Sequence, residues 1–256
     1  MSGSLAFDRA AEYYDRTRRI SDEASRRQTE LLAAELAGRG RCLEIGVGTG
    51  LIALPLAAAG VPLVGLDLST PMLAKLVEKA GRRPFPLVVG DATRLPFADR
   101  SVGASIVRHV LHLIPGWRVA VAELARVVRP GGTVLVSAGD IPSVWRDVTA
   151  RFVAAVGRPF TRGLDVRELD ALDAAFGGHD AVPRALPPIP ERVDTSLGTF
   201  LEQMGDGLHS WTWDVPEDRR REVAAEVRRW AEERFGTLDP PEARRVTIEW
   251  RAYDLP

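Results

Sequence analysis

A glycine-rich turn between a short apolar run and a helix-like segment most constrains how this 256-residue chain can fold. The apolar run is Arg41-Cys42-Leu43, and the segment Glu44-Ile45-Gly46-Val47-Gly48-Thr49-Gly50 follows it directly. Glycine has no Cβ, so such a turn lets a nucleoside-bearing cofactor approach the backbone closely. A dinucleotide-binding turn reads GxGxxG, but here the sixth position holds Leu51. The spacing therefore disfavours a nicotinamide-dependent oxidoreductase, which we keep as a rival interpretation.

An acid ends the next apolar run. Asp67 directly follows residues 63–66, at about the distance from the turn where an acid binds ribose hydroxyls. The alternative is that Asp67 merely ends a strand and caps the helix after it. We predict the ribose-binding role.

Strand-like and helix-like segments alternate through the first half of the chain. We expect five strands, at residues 41–45, 62–66, 87–89, 102–107 and 133–137, and four helices, at residues 21–37, 51–59, 69–80 and 117–128. Arg129-Pro130-Gly131-Gly132 is expected to break the chain before the fifth strand. Such alternation predicts a mostly parallel sheet with helices on both faces. The polar residues that follow each strand should converge on one sheet edge.

The second half of the chain has a looser pattern. Helices are expected at residues 142–156, at 165–176 and from Val215 onward. Residues 183–190 are too rich in proline for a central strand and form either an edge strand or a linker. Residues 246–253 alternate in the manner of a terminal strand.

The glycine turn, the acids Glu44 and Asp67, and the Gly90-Asp91-Ala92 segment together resemble the class I S-adenosylmethionine (SAM)-dependent methyltransferases, in particular their small-molecule and quinone-type branch. The resemblance covers most of residues 7–138. It implies an α/β, Rossmann-like sheet of seven mostly parallel strands, the last antiparallel, with helices on both faces and a small helical cap. The implied domains are a helical lid (1–40), a SAM-binding core (41–140), a cap and substrate region (141–245) and a returning strand (246–256).

The resemblance also assigns parts of the cofactor to residues. Asp91 and the Ala92 amide would bind adenine, and Leu68 would lie against its face. Glu44 and the glycine turn would lie near the amino-acid tail, whose carboxylate Tyr14 and Arg18 of the lid would reach. Arg108 falls near the methionine portion, and its guanidinium is expected to point toward a substrate anion. The cofactor-binding set is Tyr14, Arg18, Glu44, Gly46, Gly48, Gly50, Asp67, Leu68, Asp91, Ala92 and Arg108.

Histidines are the candidate bases for methyl transfer. His109 and His112 flank the expected methyl position, although packing or cofactor contact is the alternative for both. His209 lies beside Trp211 and Trp213, which could line a pocket for a flat acceptor or could simply form the core of the cap.

Composition excludes several classes of function. The net charge of −1 does not suggest nonspecific nucleic-acid binding. The single cysteine, Cys42, excludes an intrachain disulfide and a cysteine-based zinc site, and it is expected in the core. No metal cluster is visible in the sequence. No membrane span or signal peptide is visible either, so we expect a cytoplasmic protein. We expect it to be a monomer or a homodimer.

The sequence therefore predicts a SAM-dependent methyltransferase that acts by in-line displacement on a small molecule, in secondary metabolism. The acceptor atom is left open among oxygen, nitrogen and carbon. The alternative is a SAM-binding protein of the same fold that transfers no methyl group, such as a cyclase, an isomerase or a regulatory module.

Overall fold

The computed structural model describes residues 3–139, 143–157, 163–165, 168–239 and 244–256. The chain divides into two units. The first comprises residues 1–139, 162–189 and 248–256, and the second comprises residues 140–161 and 190–247. The division into lid, core, cap and returning strand stays a prediction, but residues 162–189 group with the first unit.

A sheet organises the first unit, and its strands run in the order β3-β2-β1-β4-β5-β8-β6. β1 pairs in parallel with β2 and β4, and the β2–β3 and β4–β5 pairs are also parallel. β8 is antiparallel to both β5 and β6. The strands are β1 Cys42–Ile45, β2 Leu63–Asp67, β3 Leu87–Val89, β4 Val102–Val107, β5 Val128–Gly139, β6 Val182–Ala185, β7 Ile189–Val193 and β8 Arg244–Asp254.

This topology confirms the mostly parallel sheet and its antiparallel final strand. The described residues contain eight strands, one more than expected, because the proline-rich segment supplies two short strands. β6 pairs along the edge of the sheet, and β7 pairs with β8 off the main path. Edge positions tolerate Pro183 because one side of an edge strand needs no backbone donor.

The prediction that the fifth strand begins only after Gly132 was wrong. β5 already begins at Val128, which pairs with Val102, and its register then shifts until Thr133 pairs with Ala104. A Cβ on Gly132 would lie 2.4 Å from the Val128 side chain, so only glycine fits this crowded irregularity. The Pro-Gly-Gly segment therefore bends the strand without ending it.

The helices are α1 Tyr14–Arg18, α2 Asp22–Leu36, α3 Ala53–Ala58, α4 Thr70–Ala80, α5 Trp117–Val127, α6 Ser143–Val156, α7 Leu169–Gly177, α8 Leu197–Gly205 and α9 Glu217–Phe235. α2 belongs to the core of the first unit, since Leu32 and Leu36 pack in one apolar cluster with Leu56 and Trp250. Cys42 is fully buried in the same cluster, as predicted. Ser69 begins α4 by accepting a hydrogen bond from the Met72 amide at 3.3 Å.

The second unit has its own apolar core, formed by residues of α6, α8 and α9. Arg220 is buried beside this core, where its guanidinium donates to the carbonyl oxygens of Gly205 at 2.8 Å and Val215 at 3.3 Å. These bonds fasten the loop between α8 and α9. The helix α8 falls in the region expected to form a helical cap, but the sequence pattern did not delimit it.

Candidate functional site

A pocket of about 320 Å³, partly open to solvent, lies where β1 and β4 end. Parallel strands present their carboxyl ends at one sheet edge, which is where ligands of such sheets bind. The pocket brings together six of the sequence-predicted cofactor residues and one candidate base. Its lining is Tyr14, Arg18, Glu44, Gly46, Val47, Gly48, Thr49, Leu51, Ile52, Arg108 and His109.

The glycine turn forms the floor of the pocket and requires glycine for two reasons. Gly46, Gly48 and Gly50 all adopt positive φ, at 65°, 53° and 80°. A Cβ on Gly46 would lie 2.2 Å from the Val110 side chain, and one on Gly50 would lie 2.8 Å from that of Leu54. The turn is therefore held in a left-handed, closely packed conformation that exposes backbone to the pocket.

Asp67 ends β2 and is tied to the turn. One carboxylate oxygen accepts the Gly48 amide proton and the other accepts that of Ser69, both at 2.8 Å. Burial raises the pKa of Asp67, while these amide bonds lower it. A carboxylate has about four lone-pair sites, so these bonds and a further one from the Leu68 amide still leave room for another donor. The side chain is thus oriented by the backbone with accepting capacity left over.

Glu44 has an uncommon environment for an acid. It is 3% exposed, and Oε2 accepts no hydrogen bond from any described residue. Burial raises its pKa well above the ordinary value, the Arg108 guanidinium opposes that rise, and Asp67 adds to it. A buried acceptor without a donor is costly unless a ligand supplies one. Glu44 therefore fits a cationic ligand group, such as an ammonium.

The N-terminal segment reaches the same pocket through α1. Tyr14 and Arg18 line it, and Phe7 packs edge-to-face against Tyr14 with ring centroids 5.9 Å apart. Burial raises the pKa of Tyr14 and lowers that of Arg18. Nearer the N-terminus, the Leu5 amide donates to the Leu113 carbonyl oxygen at 3.4 Å. The segment is thus packed on the first unit at the sheet edge that carries the pocket.

The segment after β4 supplies the cation Arg108 and the titratable His109 to the pocket. His109 lines the pocket in a left-handed conformation with φ of 55°, which is uncommon for a non-glycine residue. Although the residue as a whole is exposed, the protein around its ring lowers its pKa well below the usual value, and Arg108 acts in the same direction. This lowered pKa favours the neutral form of the His109 ring.

His112 is placed differently from His109. It is absent from the pocket lining, and its Nδ1 is buried with no hydrogen-bond partner among the described residues. Burial, with a smaller contribution from Arg18, lowers its pKa from the usual 6.5 to about 4. Such a group is a weak base.

Of the expected adenine residues, Asp91 and Ala92 follow β3 and Leu68 follows β2. The Asp91 carboxylate accepts the Thr93 amide at 2.8 Å and the Thr93 hydroxyl at 2.7 Å, which closes a tight turn. Ala92 is buried and Leu68 is 36% exposed. These three residues are not part of the pocket lining, and their binding roles stay predictions.

His209, Trp211 and Trp213 lie in the second unit. His209 contacts the rings of Phe200 and Trp211, at centroid distances of 5.0 and 5.8 Å. The Trp213 indole N–H donates to the Gly207 carbonyl oxygen at 2.9 Å. These contacts belong to packing within the second unit, and the substrate and base roles of the three residues stay predictions.

Sequence reasoning missed Thr49 of the pocket lining and two residues, Asp15 and Lys79, that are linked to it. Thr49 is buried, and its hydroxyl donates to the Asp15 carboxylate. Lys79 donates to the other Asp15 oxygen at 2.6 Å. Its position between Tyr14 and Arg18 could have marked Asp15 as a site residue, but its bonding partners are distant in sequence.

Comparison with known proteins identifies the core. Residues 43–136 match the family model described as a methyltransferase domain. These residues, which run from β1 into β5, are similar to such a domain. A demethylmenaquinone methyltransferase from Mycobacterium sp. (strain KMS) is 39% identical over 143 residues, which cover 54% of this chain and 59% of the relative. One from Renibacterium salmoninarum is 35% identical over 140 residues, covering 54% and 58%. The chain thus spans less than two thirds of these curated relatives.

Solved structures of similar fold extend over more of the chain. YcgJ from Bacillus subtilis superposes with a TM-score of 0.61 at 19% identity and covers 90% of this chain and 99% of its own. At that identity, the likeness concerns the fold. The methyl donor of a class I methyltransferase domain is SAM, and the pocket's donor set fits it: Glu44 offers an acceptor for its ammonium, and the glycine turn leaves room for close approach.

Two features are absent from the described part of the chain. None of its helices is both long and apolar enough to cross a bilayer. Within the same residues, no group of three or more His, Cys, Asp or Glu side chains could hold a metal ion.

Proposed function

We propose that this protein is a SAM-dependent methyltransferase that transfers a methyl group by in-line displacement to a small, quinone-type acceptor. The observation that carries the proposal is the buried Glu44 oxygen that has no donor, on a side chain that lines the pocket. SAM supplies an electrophilic methyl group on a sulfonium, together with an ammonium that would meet this oxygen.

The remaining cofactor contacts follow from the same geometry. Asp67 would accept from the ribose hydroxyls through the lone pairs that the Gly48 and Ser69 amides leave available. Arg18 and Tyr14 would hold the carboxylate of the amino-acid tail from the lid. Asp91 and Ala92 would contact adenine. Together these residues would fix the methyl donor and exclude water from it.

The protonation states around the pocket bear on how the acceptor reacts. His109 and His112 have lowered pKa values and would be weak bases. Arg108 is a permanent cation at the pocket wall, and it would favour an ionised acceptor hydroxyl over a neutral one. We therefore assign Arg108 to the acceptor anion, and we give the histidines the smaller role of accepting a proton where one must leave.

The acceptor class rests on the relatives. The curated relatives with the matched domain are named for demethylmenaquinone, a quinone. His209, Trp211 and Trp213 would contribute aromatic surface for such a ring. We keep a cytoplasmic location, a monomer or homodimer and the absence of nucleic-acid partners as proposals. The non-methylating alternative has no such support.

Cofactor binding is tested by calorimetric titration with SAM, its demethylated product S-adenosylhomocysteine, and NADH. The wild-type protein should bind the first two and not the third. Asp67→Ala should lose this binding, while the control Asp22→Ala, which alters an exposed acid in α2, should keep it. Binding of NADH without SAM would refute the proposal.

Transfer is tested separately. The protein is incubated with SAM and reduced demethylmenaquinone, and the products are analysed by mass spectrometry. We expect equal amounts of S-adenosylhomocysteine and of a quinol heavier by one CH2 unit, because the methyl group replaces a hydrogen that leaves as a proton. Bound SAM with neither product would favour the non-methylating alternative for this acceptor.

A further inference from the structure

Asp15 joins three elements around the pocket. It lies in α1, and its carboxylate accepts hydrogen bonds from the Thr49 hydroxyl of the glycine turn and from the Lys79 ammonium in the last turn of α4. The Lys79 Nζ to Asp15 Oδ2 distance is 2.6 Å. No other acid of α1 is available for these contacts, because Asp15 is its one acidic residue.

The helix that carries Asp15 depends on such contacts for its position. α1 has only five residues, and an isolated helix of that length is unstable in water. Tyr14 and Arg18 of the same helix line the pocket, so whatever holds α1 also holds these two side chains. Their placement therefore depends on the bonds that Asp15 makes to Thr49 and Lys79.

The carboxylate of the Asp15–Lys79 pair is less exposed to solvent than that of the other ion pair between the N-terminal segment and α4. Its side chains are 35% and 33% exposed, whereas Glu12, which pairs with Lys75 at 3.1 Å, is 79% exposed. Partly buried pairs are screened less by salt than exposed ones. Asp15 is thus the stronger attachment of the two.

We propose that Asp15 is a positioning residue that latches the N-terminal lid onto the glycine turn and so retains bound SAM. This rests on the proposed function. The Asp15 carboxylate bonds to one residue of the pocket lining, Thr49, and it acts on the pocket through Tyr14 and Arg18 of its own helix. Opening the latch should release the cofactor faster without altering the chemistry of the closed state.

The test compares the release of tritiated SAM, chased with unlabelled SAM, among four proteins. These are the wild type, Asp15→Asn, Lys79→Met and the double variant. Asparagine keeps an acceptor for Thr49 and loses the charge. We expect each single variant to release SAM about threefold to tenfold faster. The double variant should release it no faster than the singles, since all three lack the same ion pair.

Three further measurements separate a latch from a merely structural effect. KM for SAM should rise with kcat nearly unchanged, raised salt should bring the wild-type release rate toward that of Asp15→Asn, and Asp15→Glu should retain part of the effect. Arg27→Met, which removes an exposed ion pair within α2, is the control and should match the wild type. Melting temperatures without SAM identify any variant that fails to fold, in which case Lys79→Met alone decides.

The outcomes distinguish this proposal from the one it rests on. If the wild type binds SAM and both single variants release it at the wild-type rate, the latch is refuted and the proposed function stands. If the wild type does not bind SAM, the proposed function fails and the latch with it.

Discussion

Replacing Glu44 by glutamine should move stability and cofactor affinity in opposite directions. In the free protein, Glu44 carries a buried oxygen without a donor, and burial raises its pKa well above the ordinary value. Neutral glutamine removes the cost of burying a charge, so the free variant should be more stable near neutral pH. Loss of a charge-assisted bond to the SAM ammonium costs about 1.5–3 kcal/mol, or roughly 10- to 150-fold in affinity.

The sign of the pH dependence follows from the same raised pKa. An acid whose folded pKa lies above its unfolded pKa favours the folded state at low pH, and that stability is lost as pH rises through the folded value. The free wild type should therefore lose stability relative to Glu44→Gln as pH rises from the ordinary glutamate range. Since SAM would bind the ionised form, its affinity for the wild type should fall as pH drops, and binding should release protons.

Two assays check this reasoning. Urea unfolding of wild type and Glu44→Gln across the acid-to-neutral range gives the stability difference, and calorimetry in buffers of different ionisation enthalpy gives proton release. Glu44→Gln should show neither the pH-dependent loss nor the proton release attributed to Glu44. A variant that is less stable than the wild type near neutral pH, or that binds SAM equally well, would refute the account of Glu44.

Three further predictions concern other parts of the chain. Gly46→Ala should destabilise the first unit by about 1–3 kcal/mol and abolish SAM binding in calorimetry, because its Cβ would meet Val110 at 2.2 Å and its φ is 65°. Arg220→Met should cost the second unit about 2–4 kcal/mol in urea unfolding, since two carbonyl oxygens lose their donor. His112 has a lowered folded pKa, so its stabilisation is present above the usual 6.5 and is lost as pH falls toward about 4; His112→Asn should lessen that loss in acid unfolding curves.

The sequence predicts those parts of the fold and site that depend on neighbouring residues. The glycine turn requires positive φ at Gly46, Gly48 and Gly50, and a GxGxG pattern after an apolar run reports that requirement directly. Asp67 is similarly local, because a strand end places its carboxylate beside the turn. Both features were identified from the sequence. The alternation of strands and helices likewise predicted the parallel sheet, which the strand pairing confirms.

Features that join distant residues were not predictable in this way. Asp15 reaches Lys79 across 64 positions, and nothing in either local pattern specifies the pairing. The proline content left an edge strand and a linker open for the segment that forms β6 and β7, and pairing with β8 decides for strands. The pKa of His112 likewise depends on burial, which its neighbours in sequence do not reveal.

The charges that line the pocket also discriminate between the two classes of nucleotide cofactor. Glu44 is a buried acid without a donor, and Arg18 and Arg108 are cations on the same surface. A zwitterionic amino-acid tail pairs with both kinds of group, because its ammonium can bind the acid and its carboxylate can bind a guanidinium. A nicotinamide dinucleotide would instead bring a pyrophosphate to a turn flanked by Glu44 and Asp67, and it carries no ammonium for Glu44. Like charges would then face each other in a partly desolvated pocket, so the electrostatics and the missing third glycine independently favour SAM over NADH.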